Sequence, residues 1–293
     1  MTRTETQAPI RTYRGNCHCG DYVYEARLPE ITSVHECNCS ICRKKGYLGV
    51  FLGVDDDFRV VKGADDGLVS YTFGPGKLAH KFCPKCATPL MGVFPDGPPG
   101  RQRALNVRAI QGLNTWSLEK KHVDGAAVGD KHVHGEYNGS LPAAVNGKQL
   151  YTGSCHCGKV RVALMSKPLD DTYQDRTVEC NCSICERNGY RWVYPPVDAV
   201  VLAGDDADIG RYSFARRIMN KTFCRTCGVC MTNERNAQLA DDAISEGDRP
   251  LKAWAEANHP VNLRVLDGVD LSAMKPSQMC DGANELPPPY ENP

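Results

Sequence analysis

The sequence predicts a mainly β protein in which one small, metal-pinned sheet assembly is used twice. Three observations carry that prediction. The heptapeptide ECNCSIC occurs at residues 36–42 and again, unchanged, at residues 179–185. Short runs such as YVYEARL, GVFLGV, FRVVKG, LVSYTF and ALNVRAI are rich in Val, Tyr and Phe and are separated by Gly, Asp and Pro. That is the pattern of short strands and turns. Helical periodicity is weak along the whole chain.

The repeat extends well beyond the heptapeptide. YRGNCHCGDYVYEA from Tyr13 is echoed by YTGSCHCGKVRVAL from Tyr151. SYTFGPGKLAHKFCPKCATPL is echoed by RYSFARRIMNKTFCRTCGVCM. NVRAIQG at Asn106 returns as NLRVLDG at Asn262, and VDG around Asp124 as CDG around Asp281. Motif order is kept while loops drift. The boundaries that follow are a first domain over residues 1–138, a linker over 139–147 and a second domain over 148–293. The junction HGEYNGSLPAAVNGKQ has linker chemistry, with Gly, Asn, Ser and Pro and no period. The second copy also carries AQLADDAISEGDRPLKAWAEANHP, which predicts a polar loop with a short helical stretch. The ends, MTRTETQ and ELPPPYENP, read as poorly ordered tails.

Composition narrows the function. The chain has 293 residues, 41% of them hydrophobic, enough for real cores. Its formal net charge is +0, which speaks against a nucleic-acid binder. No apolar run reaches the roughly 18 residues of a membrane span. The start, MTRTETQAPI, lacks the apolar core of a secretory signal. Sixteen clustered cysteines without such a signal predict metal binding in a reducing, cytoplasmic compartment rather than a disulfide framework.

Seven of the cysteines recur in each copy. The first copy has Cys17 and Cys19, then Cys37, Cys39 and Cys42, then Cys83 and Cys86. The second has Cys155 and Cys157, then Cys180, Cys182 and Cys185, then Cys224 and Cys227. Zinc with thiolates is usually four-coordinate; structural sites are closed and catalytic sites keep a position open. Seven divides into four and three. The natural split joins each CxC pair to the distant CxxC pair and leaves CxCxxC as a three-cysteine site with one vacancy. This predicts about two zinc ions per domain.

Two ways of filling the vacancy stay open. A substrate or water can take it, or a histidine can close it. His35 and His80 are candidates in the first copy, but Val178 and Lys221 stand at the equivalent positions of the second. His18 and His156 are shared, each between two cysteines. Three thiolates leave zinc little Lewis acidity. Such a site suits capture of one further soft ligand, and a thiol bound there loses its proton and becomes a positioned nucleophile. The residues therefore point to zinc-assisted chemistry at sulfur.

GNCHCG, CNCSICRKKGYL, KFCPKC and LNVRAIQG resemble the glutathione-dependent formaldehyde-activating family, which includes centromere protein V. GSCHCGKV, CNCSICERNGY, TFCRTCG and VNLRVLDGVDL resemble it again. The resemblance implies a β-tent fold in each half. It implies a structural zinc at Cys17, Cys19, Cys83 and Cys86, and another at Cys155, Cys157, Cys224 and Cys227. It implies a substrate-facing zinc at each CxCxxC, with Cys37, Cys39 and Cys42, and Cys180, Cys182 and Cys185, as the catalytic cysteines. The implied activity is condensation of glutathione with formaldehyde, a carbon–sulfur lyase in reverse.

Departures from the family pattern matter too. The chain has two domains where one is usual. After the first CxCxxC come Arg43, Lys44 and Lys45; after the second come Glu186, Arg187 and Asn188. A cationic loop there is expected to pair with a glutathione carboxylate; the alternative is a solvated surface loop. Cys230 is either a spare buried thiol or a fourth ligand, and Cys280 has no counterpart in the first copy. Tyr47 and Tyr190 line a pocket or simply pack. Asn106, Arg108, Asn262 and Arg264 read as structural. The expected partner is a small thiol, glutathione first, with no nucleic acid and no membrane. The rival readings are a non-catalytic zinc scaffold for protein interaction and a specialised C–S bond enzyme of secondary metabolism.

Overall fold

The computed structural model describes residues 9–53, 57–129, 131–133 and 135–293. The N-terminal MTRTETQ, expected to be a loose tail, lies outside them.

Each half contains a three-stranded antiparallel sheet and a seven-stranded mixed sheet. In the first half, strands Ile10–Asn16 and Val23–Pro29 form a hairpin, and Phe58–Lys62 adds to its edge. The tight turn of that hairpin carries the CxC pair. In the second half, Gln149–Ser154, Arg161–Ser166 and Val200–Ala203 repeat the arrangement.

The larger sheet of the first half runs Glu119–Val123, Ser33–Cys37, Gly49–Phe51, Arg103–Asn106, Pro89–Val93, Ala79–Phe82, Val69–Tyr71. Only the first two strands are parallel. The second half has the same order, ending with Gln278–Cys280 parallel to Thr177–Cys180. All five strand-like runs named from the sequence carry a strand, although Val54 lies outside the described residues. ALNVRAI is strand only as far as Asn106 and then turns through a 3-10 segment, Val107–Ala109.

Helices are short, as the weak periodicity requires. The helix Ser40–Lys45 (α1) carries the last cysteine of the first CxCxxC, and Ser183–Asn188 (α2) that of the second. Each ends at a glycine in the left-handed conformation, Gly46 with φ 60° and Gly189 with φ 58°, the usual way to stop a helix. The insert of the second half contains the expected helical stretch, Arg249–Ala257 (α3), started by a proline in its first turn. Among the described residues no helix is long and apolar enough to cross a membrane.

The halves are not separate beads. Ile184, the isoleucine of the second ECNCSIC, is 1% exposed and packs in the core that holds Tyr22, Tyr24 and Leu90 of the first half. Ile41, its equivalent, is 0% exposed and packs with Val160, Leu164 and Leu263 of the second. Full burial of such a side chain is worth roughly 1.5–3 kcal/mol. Gly46 and Gly189 meet at the crossing point. A Cβ on either would stand 2.9 Å from the other's carbonyl oxygen, so no larger residue fits. Each CxCxxC helix is thus inserted into the opposite half.

The C-terminal PPPYENP is not a loose tail. Tyr290 stacks on His18 at 4.7 Å and donates a hydrogen bond to the His18 carbonyl, and Arg187 reaches Asn292.

Candidate metal and thiol site

Sixteen free cysteines form four clusters and two singletons. Cys17 and Cys19 sit on the first hairpin turn, and Cys83 and Cys86 on the turn between Ala79–Phe82 and Pro89–Val93. The two turns bring the four sulfurs together. Cys19 Sγ lies 3.5 Å from both Cys17 Sγ and Cys83 Sγ. In the second half Cys157 Sγ lies 3.6 Å from Cys155 Sγ and 3.5 Å from Cys224 Sγ, with Cys227 completing the set. A tetrahedral ion with Zn–S of about 2.3 Å needs sulfurs about 3.8 Å apart, whereas a disulfide needs about 2.05 Å. The spacing fits a metal and not a bond. The backbone N–H groups of Tyr22 and Val160 each donate to a sulfur of their own cluster, at 3.3 Å. Such donors favour the thiolate form that binds metal.

The remaining clusters hold three sulfurs each: Cys37, Cys39 and Cys42, and Cys180, Cys182 and Cys185. The end of a strand supplies the first cysteine, the residue capping the helix supplies the second, and the helix supplies the third. The N–H of Cys39 donates to Cys37 Sγ at 3.4 Å, and that of Cys182 to Cys180 Sγ at 3.3 Å. Hydrogen bonds from Cys39 and Cys42, assisted by the N–H groups of Cys39 and Gly125, hold the Cys37 thiol well below its usual range.

No histidine joins either three-sulfur cluster among the described residues. His35 is exposed beside Phe51, and His80 is buried against Phe73 and Tyr47. Cys230 does not close the second cluster; it is a buried thiol in the shared core. Cys280 has a positional counterpart after all. It pairs in register with Cys180, as Val123 does with Cys37, and Arg176 donates to its sulfur.

His18 and His156 point away from their own clusters and across to the other half. His18 bridges Ser183 Oγ at 3.0 Å and Tyr212 OH at 2.8 Å. His156 bridges Ser40 Oγ at 2.9 Å and Tyr71 OH at 2.8 Å. Burial pushes the imidazoles down to about 4 and about 3, so both are neutral. The serines open the two CxCxxC helices. Each three-sulfur cluster is therefore fixed by the four-sulfur loop of the opposite half.

Arg43, Lys44 and Lys45 do not form the expected cationic loop. They lie on α1, with Lys44 and Lys45 buried. Arg43 donates to the Val269 carbonyl, and Lys44 Nζ to the Ser154 carbonyl at 2.8 Å. Arg187 makes the mirror contact to the Asn16 carbonyl at 3.1 Å. Lys45 Nζ lies 4.3 Å from the Phe82 ring centre and has no hydrogen-bond partner among the described residues. Two of the three cations are thus spent joining the halves. The structural reading of Asn106, Arg108, Asn262 and Arg264 agrees with their contacts. Arg108 Nε donates to Gly46 O at 2.7 Å and Arg264 Nε to Gly189 O at 2.6 Å, capping the cluster helices. Asn106 and Asn262 donate to the carbonyls of Pro89 and Cys230.

The sequence echo VDG/CDG carries more than repeat registration. A Cβ on Gly125 would lie 2.4 Å from Cys37 Sγ, and one on Gly282 would lie 2.5 Å from Cys180 Sγ. Asn38 and Asn181 clamp these turns, donating to Asp124 and Asp281 and accepting from the N–H groups of Ala126 and Ala283. These glycines let backbone press against a ligand sulfur. The echo of VDG by CDG was the available signal, although Gly125 follows Cys37 by 88 residues and Gly282 follows Cys180 by 102.

A family model described as glutathione-dependent formaldehyde-activating enzyme matches residues 12–113 and 150–248. The chain belongs to this family. Both matched stretches of the formaldehyde-activating type begin before a CxC pair and include a CxCxxC and a CxxC. A crystal structure of a Rhodobacter sphaeroides protein is 28% identical, over 37% of this chain and 99% of that one, with a TM-score of 0.33. Four sulfur clusters able to hold metal ions, two in each half, are what this formaldehyde-activating family member presents.

Proposed function

We propose that this chain is a zinc-dependent enzyme that forms or breaks a carbon–sulfur bond between a small thiol, glutathione first, and formaldehyde or a related carbonyl. The observation that carries the reading is the contrast between clusters: a four-sulfur set beside a part-exposed three-sulfur set within a formaldehyde-activating family member. Cys17, Cys19, Cys83 and Cys86, and Cys155, Cys157, Cys224 and Cys227, would hold structural zinc. Cys37, Cys39 and Cys42, and Cys180, Cys182 and Cys185, would hold zinc with one position left for a substrate. Bound zinc supplies a positive centre that lowers the pKa of an incoming thiol and fixes its sulfur.

The chain's own residues do the rest. Backbone N–H groups hold Cys37 and Cys180 in acceptor geometry. Gly125 and Gly282 leave room for their sulfurs. His18 and His156 lock the serines at the start of each cluster helix. In the reaction the thiol sulfur attacks the carbonyl carbon, a C–S bond forms, the C=O π pair moves to oxygen, and the thiol proton ends on that oxygen. The reverse step splits the adduct.

The test is direct. Purified protein is mixed with glutathione and 13C-formaldehyde, and exchange between free and adduct carbon is followed by NMR. Acceleration over the uncatalysed rate, lost in the double variant Cys42→Ser/Cys185→Ser, supports the reading. An unaccelerated rate with fully metal-loaded protein refutes it for this carbonyl, and failure of glutathione and other small thiols to bind at all refutes the enzyme reading.

A further inference from the structure

The two three-sulfur clusters share seven identical residues, yet their surroundings differ at one strand position. Gly49 stands in register with Asn106, and Trp192 with Asn262. The two positions are equivalent: Cys42 precedes Gly49 by seven residues, as Cys185 precedes Trp192.

In the second half the indole sits against one sulfur of the cluster, while Cys180 and Cys182 stay partly exposed as Cys37 and Cys39 do. Trp192 is 3% exposed. Its Nε1 donates to Cys185 Sγ at 3.4 Å. The ring stacks on Tyr190 at 4.2 Å, and Lys221 Nζ lies 4.6 Å from its centre on a face. Cys185 is buried, whereas Cys42 is only partly so. A sulfur that already accepts an indole hydrogen bond beneath an aromatic stack is a poor neighbour for a second substrate sulfur.

In the first half no side chain stands at this position. A Cβ on Gly49 would meet only the His35 carbonyl oxygen, at 3.8 Å. Beyond the cluster helix, Lys45 Nζ, Tyr47 OH and His80 Nε2 are buried without a hydrogen-bond partner among the described residues, as are Asn188 Oδ1 and Tyr190 OH in the second half. Tyr47 and His80 rings lie 5.7 Å apart, and Lys45 Nζ lies 5.9 Å from the Tyr47 ring centre. Buried polar groups left unpaired are costly, and the first half has one more of them, His80 Nε2, at the position where the second has Lys221 over the Trp192 face.

We propose that Trp192 closes the second cluster and that a thiol substrate binds this chain once, at the first. The inference rests on the function proposed above. It makes Gly49 and Trp192 the residues that decide which half works. The choice between halves stands on this contrast and not on the charges of Arg43, Lys44 and Lys45, two of which join the halves.

The experiment is calorimetric titration of glutathione into zinc-loaded protein, with fold checked by circular dichroism. The inference expects about one glutathione per chain for the parent, about two for Trp192→Gly, and none for Gly49→Trp. Two per parent chain, or unchanged binding in folded Gly49→Trp, overturns it while leaving the proposed function standing. One per chain in folded Trp192→Gly also overturns it. Should Trp192→Gly fail to fold, the parent and Gly49→Trp decide the matter alone. No binding by the parent or by any variant removes the proposed function and this inference with it.

Discussion

Gly125→Ala is the sharpest perturbation of the first cluster. The glycine is not left-handed, so an alanine meets no backbone penalty; the cost is contact alone. Its Cβ would lie 2.4 Å from Cys37 Sγ and 3.1 Å from Cys39 Cβ. An ordinary nonbonded contact needs about 3.5 Å, so Cys37 Sγ must retreat by about 1 Å. Metal sites tolerate only about ±0.2 Å around a Zn–S length of about 2.3 Å. The displaced sulfur is lost as a ligand, and the first cluster releases its ion. Overpacking of this kind costs about 1–3 kcal/mol, and the four-sulfur centres and shared core are untouched. The chain therefore stays folded. The assay is elemental analysis after gel filtration, paired with a thermal melt. Zinc should fall by about one ion per chain. Gly67→Ala, where an added Cβ meets nothing within 4 Å, is the control. Full zinc content in Gly125→Ala would refute the claim that these glycines exist to seat a ligand sulfur.

The remaining predictions follow from the same geometry. The parent protein should carry about four zinc ions per chain; two tightly held ions after gentle purification would mean that the CxCxxC clusters are not metal sites. Cys86→Ser should destabilise the chain more than Cys42→Ser, because structural zinc binding is coupled to folding. It should also loosen the Cys180–Cys182–Cys185 cluster, since His18 between Cys17 and Cys19 holds Ser183; cobalt substitution would show this as a changed spectrum at the second cluster, and an unchanged one would contradict the crossed coupling. His259 is buried beside Thr232, and burial pushes its imidazole down to about 4. The unfolded chain takes up that proton near pH 6.5, so this stability is present above that value and is lost as pH falls toward 4, by on the order of 3 kcal/mol. Denaturant melts across that window should be shallower in pH for His259→Gln, and equal slopes would contradict the assignment.

The cysteine plan was legible because metal ligands must be cysteines at fixed local spacings. CxC, CxCxxC and CxxC each sit on one turn or one helix start, and counting seven per copy gave the four-plus-three division that the sulfur clusters follow. Strand runs were legible for the same local reason. What could not be read was everything decided between the copies. Lys44 and Arg187 look like surface cations in sequence, yet each is buried by reaching a carbonyl of the other half. Ile41 and Ile184 look like motif filler, yet each plugs the opposite core. The tail around Tyr290 has loop composition, and it is held by distant partners that local sequence does not show, the His18 ring, the Asn16 side chain and Arg187. Trp192 is one substitution in a strand, and its meaning depends on the space above Cys185. Gly125 and Gly282 left a faint trace as an echo, but the reason for them is a sulfur brought near from 88 and 102 residues away in sequence.

The central claim is that a three-sulfur cluster keeps one metal position for a substrate thiol. Crystals grown with glutathione, with anomalous maps at the zinc edge and sulfur density traced at Cys37, Cys39 and Cys42, test it most directly. The account predicts zinc held by these three sulfurs and a fourth, non-protein sulfur from glutathione. A fourth ligand supplied by the protein itself, unchanged with and without glutathione, would contradict it.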